Sequence, residues 1–306
     1  MLFRSFKKIQ KSISLLDTNQ IISKLDLSNH TVGLGGCKVH KTTLSCCEYN
    51  ITIFDGGNQI ETKTVGNELI RIHHAKILDS DPDLLQKYDS MEILSDPNWD
   101  LRTLLSKIND KNEKLRLSVA KKSIIDAIFF TTRAKQDLDN EFASIWIKCS
   151  ALLIADALVL LSSYQRSPTH MMEFLRQSAK NKQNDSFTII TEILGLERAT
   201  PSLLERMVKS TIGFSDMIEN NGHGSIIENK YRFLVENSLL SDCYFYLVCI
   251  NKNIILSIRD TIHKRPELVH ILKTALDLER DRTKLEQQAN QLQQKGNELI
   301  GLGNYG

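Results

Sequence analysis

The chain has 306 residues, 25% of them charged and 41% hydrophobic, with a formal net charge of +2. That length suffices for two domains with separate cores, and so small a net charge gives no global field to draw in nucleic acid. The longest apolar stretch, Ile145 to Tyr164, is interrupted by Lys148, Asp156 and several serines, so it reads as a buried helix and no membrane association is expected.

Arg4, Lys7, Lys8 and Lys11 make the N-terminus basic, which reads as a solvated terminal segment. MLFRSFKKIQKS has no apolar h-region, so a secretory leader is not expected. Cys37, Cys46, Cys47, Cys149, Cys243 and Cys249 are irregularly spaced, which predicts reduced thiols and a cytoplasmic protein. Ser12 to Ser28 places Ile13, Leu16, Ile21 and Leu25 on one helical face, closed by Asn29-His30. Thr31 to Leu34 predicts a short strand running into Gly35-Gly36. Cys46 to Phe54 predicts a second strand, ended by the turn Asp55-Gly56-Gly57-Asn58. Ile60 to Val65 and Glu68 to His74 pair around Gly66-Asn67. Pro82 to Tyr88 predicts a helix, Met91 to Leu94 a strand, and Asp100 caps a helix from Leu101 to Ile108.

This order predicts an α+β domain over residues 1–110, a mixed sheet with helices on one face, then a charged connector at 109–116. The rest, 115–300, is helical by pattern, with a glycine-rich tail at 301–306. Helices are expected over 117–139, 142–164, 168–180, 186–195, 201–219, 225–263 and 267–299. Ser167-Pro168, Thr200-Pro201 and Arg265-Pro266 are the clearest starts, and Gly195 and Asn220-Asn221-Gly222 are stops. Leu278, Leu285, Leu292 and Leu299 recur every seven residues in the last helix. That stripe suits packing within the bundle, and a homodimer contact is its functional alternative.

Glycines at a strand end let backbone approach a triphosphate closely. Carboxylates two apart on a strand point to one face and can share Mg²⁺. Gly35 and Gly36 carry the first feature, and Glu48 and Asn50 have the spacing of the second. GLGG followed by EYNITIF resembles the nucleotidyltransferase-fold signature. MEILSDPNWDLRTLLSKI resembles the strand, turn and helix that end that fold, and the later helices resemble the helical domain that commonly follows it. The resemblance implies a nucleoside triphosphate and Mg²⁺ as ligands. Gly35, Gly36, Lys38 and Lys41 would hold the nucleotide. Glu48 and Asn50 would stand at the first two acidic positions, and Glu61 or Glu68 would supply a third. Asn50 is neutral and a weak ligand for a hard cation, and Arg71 and His73 lie where a carboxylate is expected. The expected function is therefore nucleotide binding with weak or lost nucleotidyl transfer. The alternatives are a non-catalytic interaction protein acting through the helical domain and an active Mg²⁺-dependent nucleotidyltransferase.

Three further constellations stand beside that reading. Cys37, His40, Cys46 and Cys47, with His73-His74, offer zinc-type ligands without a Cys-x-x-Cys knuckle, and buried thiols are the plainer account. Arg265 and His270 match the spacing of helical HEPN-type ribonucleases, with an unconvincing proline between them. His223 reads as a turn residue in an exposed helix connection.

Overall fold

A computed structural model describes residues 18–39, 43–179 and 184–302. The basic N-terminus, the start of the first predicted helix, His40, Lys41 and the end of the tail lie outside the described residues. The chain divides into two compact units, one of residues 1–116 with 221–226, the other of 117–220 with 227–306. The fold is α+β, a mixed sheet unit followed by a helical unit.

The sheet unit holds α1 (Thr18–Lys24), β1 (Val32–Gly35), β2 (Tyr49–Ile53), β3 (Ile60–Val65), β4 (Glu68–His74), α2 (Pro82–Tyr88), β5 (Glu92–Ser95) and α3 (Asp100–Asp110). Its strand order is β3-β4-β2-β1-β5, antiparallel except for the parallel pair β2–β4. The Gly66-Asn67 hairpin forms as expected, with Val65 opposite Glu68. Val32, Leu34, Tyr49, Ile51, Ile70 and Ile72 project to one face and bury Ile21 and Leu27, in and after α1. The opposite face packs Met91 and Leu101 with Tyr88 and Ile108, from α2, α3 and their flanks. Helices thus cover both faces, not one. A Cβ on Gly33 would collide with Met91 Sδ, so glycine at this point of β1 lets the Met91 side chain lie against the strand.

Asp100 does not cap α3. Trp99 holds the cap position at φ 63°, and Asp96, three residues earlier, accepts from the amides of Leu101 at 3.3 Å and Arg102 at 2.9 Å. The predicted connector is helical almost throughout, because its Asn, Asp, Lys and Glu residues tolerate helix and only Lys111 separates α3 from α4 (Asn112–Gln136).

The helical unit contains most of α4, then α5 (Ala143–Leu161), α6 (Met171–Ser178), α7 (Asn184–Leu194), α8 (Pro201–Ile218), α9 (His223–Glu236), α10 (Leu240–Ser257), α11 (Glu267–Ala275) and α12 (Arg282–Leu302). The first turn of α9 belongs to the sheet unit. Thr200 caps α8 as expected, accepting from Leu203 N at 3.3 Å. Ser167-Pro168 opens a turn instead of a helix, and α6 starts later, after His170. The long helix expected over 225–263 breaks at Ser238, where φ is 58°, and the one over 267–299 breaks at Asp277, where φ is 49°. Neither break carries the glycine that usually marks a left-handed residue.

α5 is long and apolar enough to cross a membrane by length and composition, and 94% of its apolar window is buried inside the protein. Its two charges are satisfied internally. Lys148 Nζ meets a carbonyl and a phenol, and Asp156 pairs with the buried Lys252 of α10 at 2.5 Å. Leu285, Ala289, Leu292 and Leu299 of α12 are buried, and α12 packs on α5 and α7, so the seven-residue stripe serves the protein's own bundle.

Candidate functional site

The register of the sheet builds the candidate site. β2 alternates Tyr49 and Ile51 inward, so Asn50 and Thr52 turn to the opposite face. Ile70 and Ile72 do the same for β4, leaving Arg71 and His73 beside them. Across the four strands Gly35, Asn50, Arg71 and Thr62 stand in one row. Gly33, Thr52, His73 and Ile60 form the next.

Glu48 precedes β2 and is buried, with Oε1 accepting from Asn50 Nδ2 at 3.2 Å. That amide also lies over the glycine turn. Gly36 has φ +73°, and a Cβ there would stand 2.7 Å from Asn50 Nδ2. Glycine at position 36 therefore serves both the left-handed turn and the approach of Asn50.

The carboxylates expected to complete a metal site are elsewhere. Glu61 pairs in register with Ile72, on the face opposite Asn50, and meets Lys63 Nζ at 2.8 Å. Glu68 shares the parity of Ile70, and its Oε2 lies 3.5 Å from Lys38 Nζ. Lys38 is buried under Tyr49, its ammonium 4.6 Å from the ring centroid, so this expected phosphate ligand is engaged in the core.

Arg71 Nη1 lies 3.0 Å from His223 Nε2. A guanidinium only donates, so His223 accepts with a neutral ring protonated at Nδ1. His223, the first residue of α9, is buried rather than exposed, and its backbone N–H donates to Asn221 Oδ1 at 3.1 Å. Gly222 brings the chain against Thr62 of β3. Burial, then the charges of Arg71 and Lys87, push the His73 imidazole down to about 3, so it is neutral at pH 7, against a smaller opposing pull from Glu48. Asn221-Gly222-His223 was legible as a turn, but its place beside Arg71 was not.

A pair of divalent cations does not fit these residues. One carboxylate, with an oxygen already accepting from an amide, faces a guanidinium and a neutral imidazole where two further carboxylates would be needed.

Cys37, Cys46 and Cys47 are buried, and Cys47 Sγ accepts from Leu44 N at 3.4 Å. His73 and His74 point to opposite faces, and His74 Nδ1 bonds Asp55 Oδ2 at 2.6 Å. Arg265 Nε pairs with Glu267 at 3.0 Å, and His270 lies exposed on α11.

No family model matches the chain, and no curated protein matches it in sequence. Among solved structures it is similar to a nucleotidyltransferase-like protein from Exiguobacterium sibiricum 255-15. The identity is 14%, over 85% of this chain and 87% of that one, with a TM-score of 0.34. At that score the likeness assigns neither a fold family nor an activity.

Proposed function

We propose that this is a nucleotidyltransferase-like protein that binds a nucleotide through its sheet unit and has lost, or nearly lost, metal-dependent nucleotidyl transfer. The observation that carries the proposal is Arg71, which stands in the row of Asn50 while Glu61 and Glu68 face the other side of the sheet. A guanidinium there repels a second metal ion and suits a phosphate oxygen instead. Gly35 offers backbone at the head of the same row, and Glu48 is left to orient Asn50.

The test is calorimetry of the full chain with ATP, CTP, GTP and UTP, with and without Mg²⁺, alongside a pyrophosphate-release assay. Binding of at least one nucleotide is expected, with little change on adding Mg²⁺ and no pyrophosphate released. Arg71→Ala should weaken it by about tenfold or more, the worth of a charged hydrogen bond. Mg²⁺-dependent pyrophosphate release that Glu48→Gln abolishes would overturn the proposal.

A second reading takes the sheet unit as scaffold for an interaction protein acting through its helices. It is favoured by Lys38, whose expected phosphate contact is spent on Glu68 and Tyr49, and by Asn50, whose amide lies over the Gly36 turn. No binding at millimolar nucleotide selects this reading over the first.

A further inference from the structure

The helical unit contains a chain of polar groups joining a buried amine to its surface. Lys148 of α5 donates from Nζ to Leu194 O at 2.9 Å and to Tyr244 Oη at 3.0 Å. Tyr244 of α10 is fully buried, its hydroxyl 2.7 Å from Leu194 O and 3.1 Å from Asp277 Oδ2. Asp277, in the turn between α11 and α12, meets Arg198 Nε at 2.8 Å, and Arg198 Nη2 donates to Asp277 O at 3.3 Å. Arg198 borders a polar cleft of about 220 Å³ whose walls also include Glu192, Glu197, Glu279 and Lys284.

We propose that Lys148, Tyr244, Asp277 and Arg198 form a protonation-linked switch that sets how firmly the α11–α12 turn is held.

The Tyr244 hydroxyl has one proton to give. A charged Lys148 has no lone pair, so the phenol accepts from it and directs its own proton to Leu194 O or Asp277. A neutral amine gains a lone pair. The phenol proton can then turn inward to Nζ, and Asp277 loses that donor. Asp277 is at φ 49°, a left-handed conformation that few residues other than glycine hold without support. Losing the Tyr244 bond therefore loosens the turn that leads into α12 and the cleft.

The groups facing Lys148 place the transition in an accessible range. Burial lowers its proton affinity most and brings the amine down to about 7, with Arg198 adding to the effect while Asp277, Glu279 and Glu197 oppose it. Tyr244 is pushed upward by burial and by Asp277, so its proton stays on through neutral pH and is available to be redirected.

The experiment uses the full chain in two measurements. In a ¹³Cε titration of its lysines, one resonance should move near neutral pH and be lost in Lys148→Met. That variant leaves Leu194 O and Tyr244 Oη bonded to each other. In amide exchange corrected for intrinsic rate, protection of 276–281 should fall about fivefold between about pH 6 and about pH 8.5, the worth of one hydrogen bond. Tyr244→Phe keeps the amine and removes the hydroxyl, so it should abolish that pH response. The proposal is overturned if no lysine titrates below about pH 9. It is equally overturned if the turn responds to pH in Tyr244→Phe as it does in the native chain. Should Lys148→Met fail to fold, the native titration and Tyr244→Phe decide.

Discussion

Gly36→Ala tests what the glycine turn is for. The substitution carries two separable costs. Alanine at φ +73° costs roughly 1–2 kcal/mol, the ordinary penalty of a left-handed residue with a Cβ. The new Cβ would also stand 2.7 Å from Asn50 Nδ2 and 3.3 Å from its Cγ, so the amide must rotate away. Rotation breaks the 3.2 Å bond to Glu48, a charged hydrogen bond in a partly buried place, worth about 1–2 kcal/mol here. The expected total is about 2–4 kcal/mol. In an Asn50→Ala background the collision and the bond are already gone, and only the backbone term remains. The two substitutions should therefore couple by about 1–2 kcal/mol. Because the chain has two units, global unfolding is a poor readout, and amide exchange in β1 and β2 is the better assay. A neutral Gly36→Ala, or the same cost in both backgrounds, refutes the account of Asn50 as the group that requires this glycine.

Two predictions concern the helical unit. Asn251 is fully buried, and its Nδ2 reaches Thr211 Oγ1 at 2.8 Å, Leu247 O at 2.9 Å and Ala275 O at 3.1 Å, joining α8, α10 and α11. Asn251→Ala should cost roughly 2–4 kcal/mol in amide exchange of α8, α10 and α11, and a cost under about 1 kcal/mol removes it as the hub of those helices. Lys148 is held at about 7 against an ordinary 10.5, so between those values the unfolded chain binds more protons than the folded one. Stability should rise with pH across that window and be lowest below it, by up to roughly 5 kcal/mol in the limit. Lys148→Met should raise stability near pH 6 and flatten the profile, whereas an unchanged slope excludes Lys148 as its source.

The fold was legible where local chemistry and long-range packing agree. Gly66-Asn67 between two β-branched runs gives the β3–β4 hairpin, and Thr200-Pro201 starts α8 where the pattern places it. It was illegible where the chain turns without glycine. Trp99, Ser238 and Asp277 are left-handed at φ 63°, 58° and 49°, and each moved a predicted boundary. At Asp277 part of the support comes from far along the chain, from Arg198, which lies 79 residues away. The covering of both sheet faces was likewise hidden, because Met91 and Leu101 reach Gly33 only in the folded protein.

The candidate site was more legible than its individual residues suggest, because parity fixes most of it. Ile70 and Ile72 must share a core with Tyr49 and Ile51, so Arg71 and His73 necessarily face the side of Asn50. Glu68 has the parity of Ile70 and is excluded from that side. The two-residue hairpin sets Val65 against Glu68, which puts Glu61 opposite Ile72 and excludes it as well. A slip of one residue in β4 would bring Glu68 around and bury Arg71 and His73, exchanging a core row for a charged one. The hydrophobic alternation that stabilises the sheet is thus what denies the site its third carboxylate. Alternation could not supply His223, which lies 152 residues from Arg71 and reaches it at 3.0 Å. With that imidazole beside the guanidinium, the row that would hold metal ligands ends instead in a donor and its acceptor.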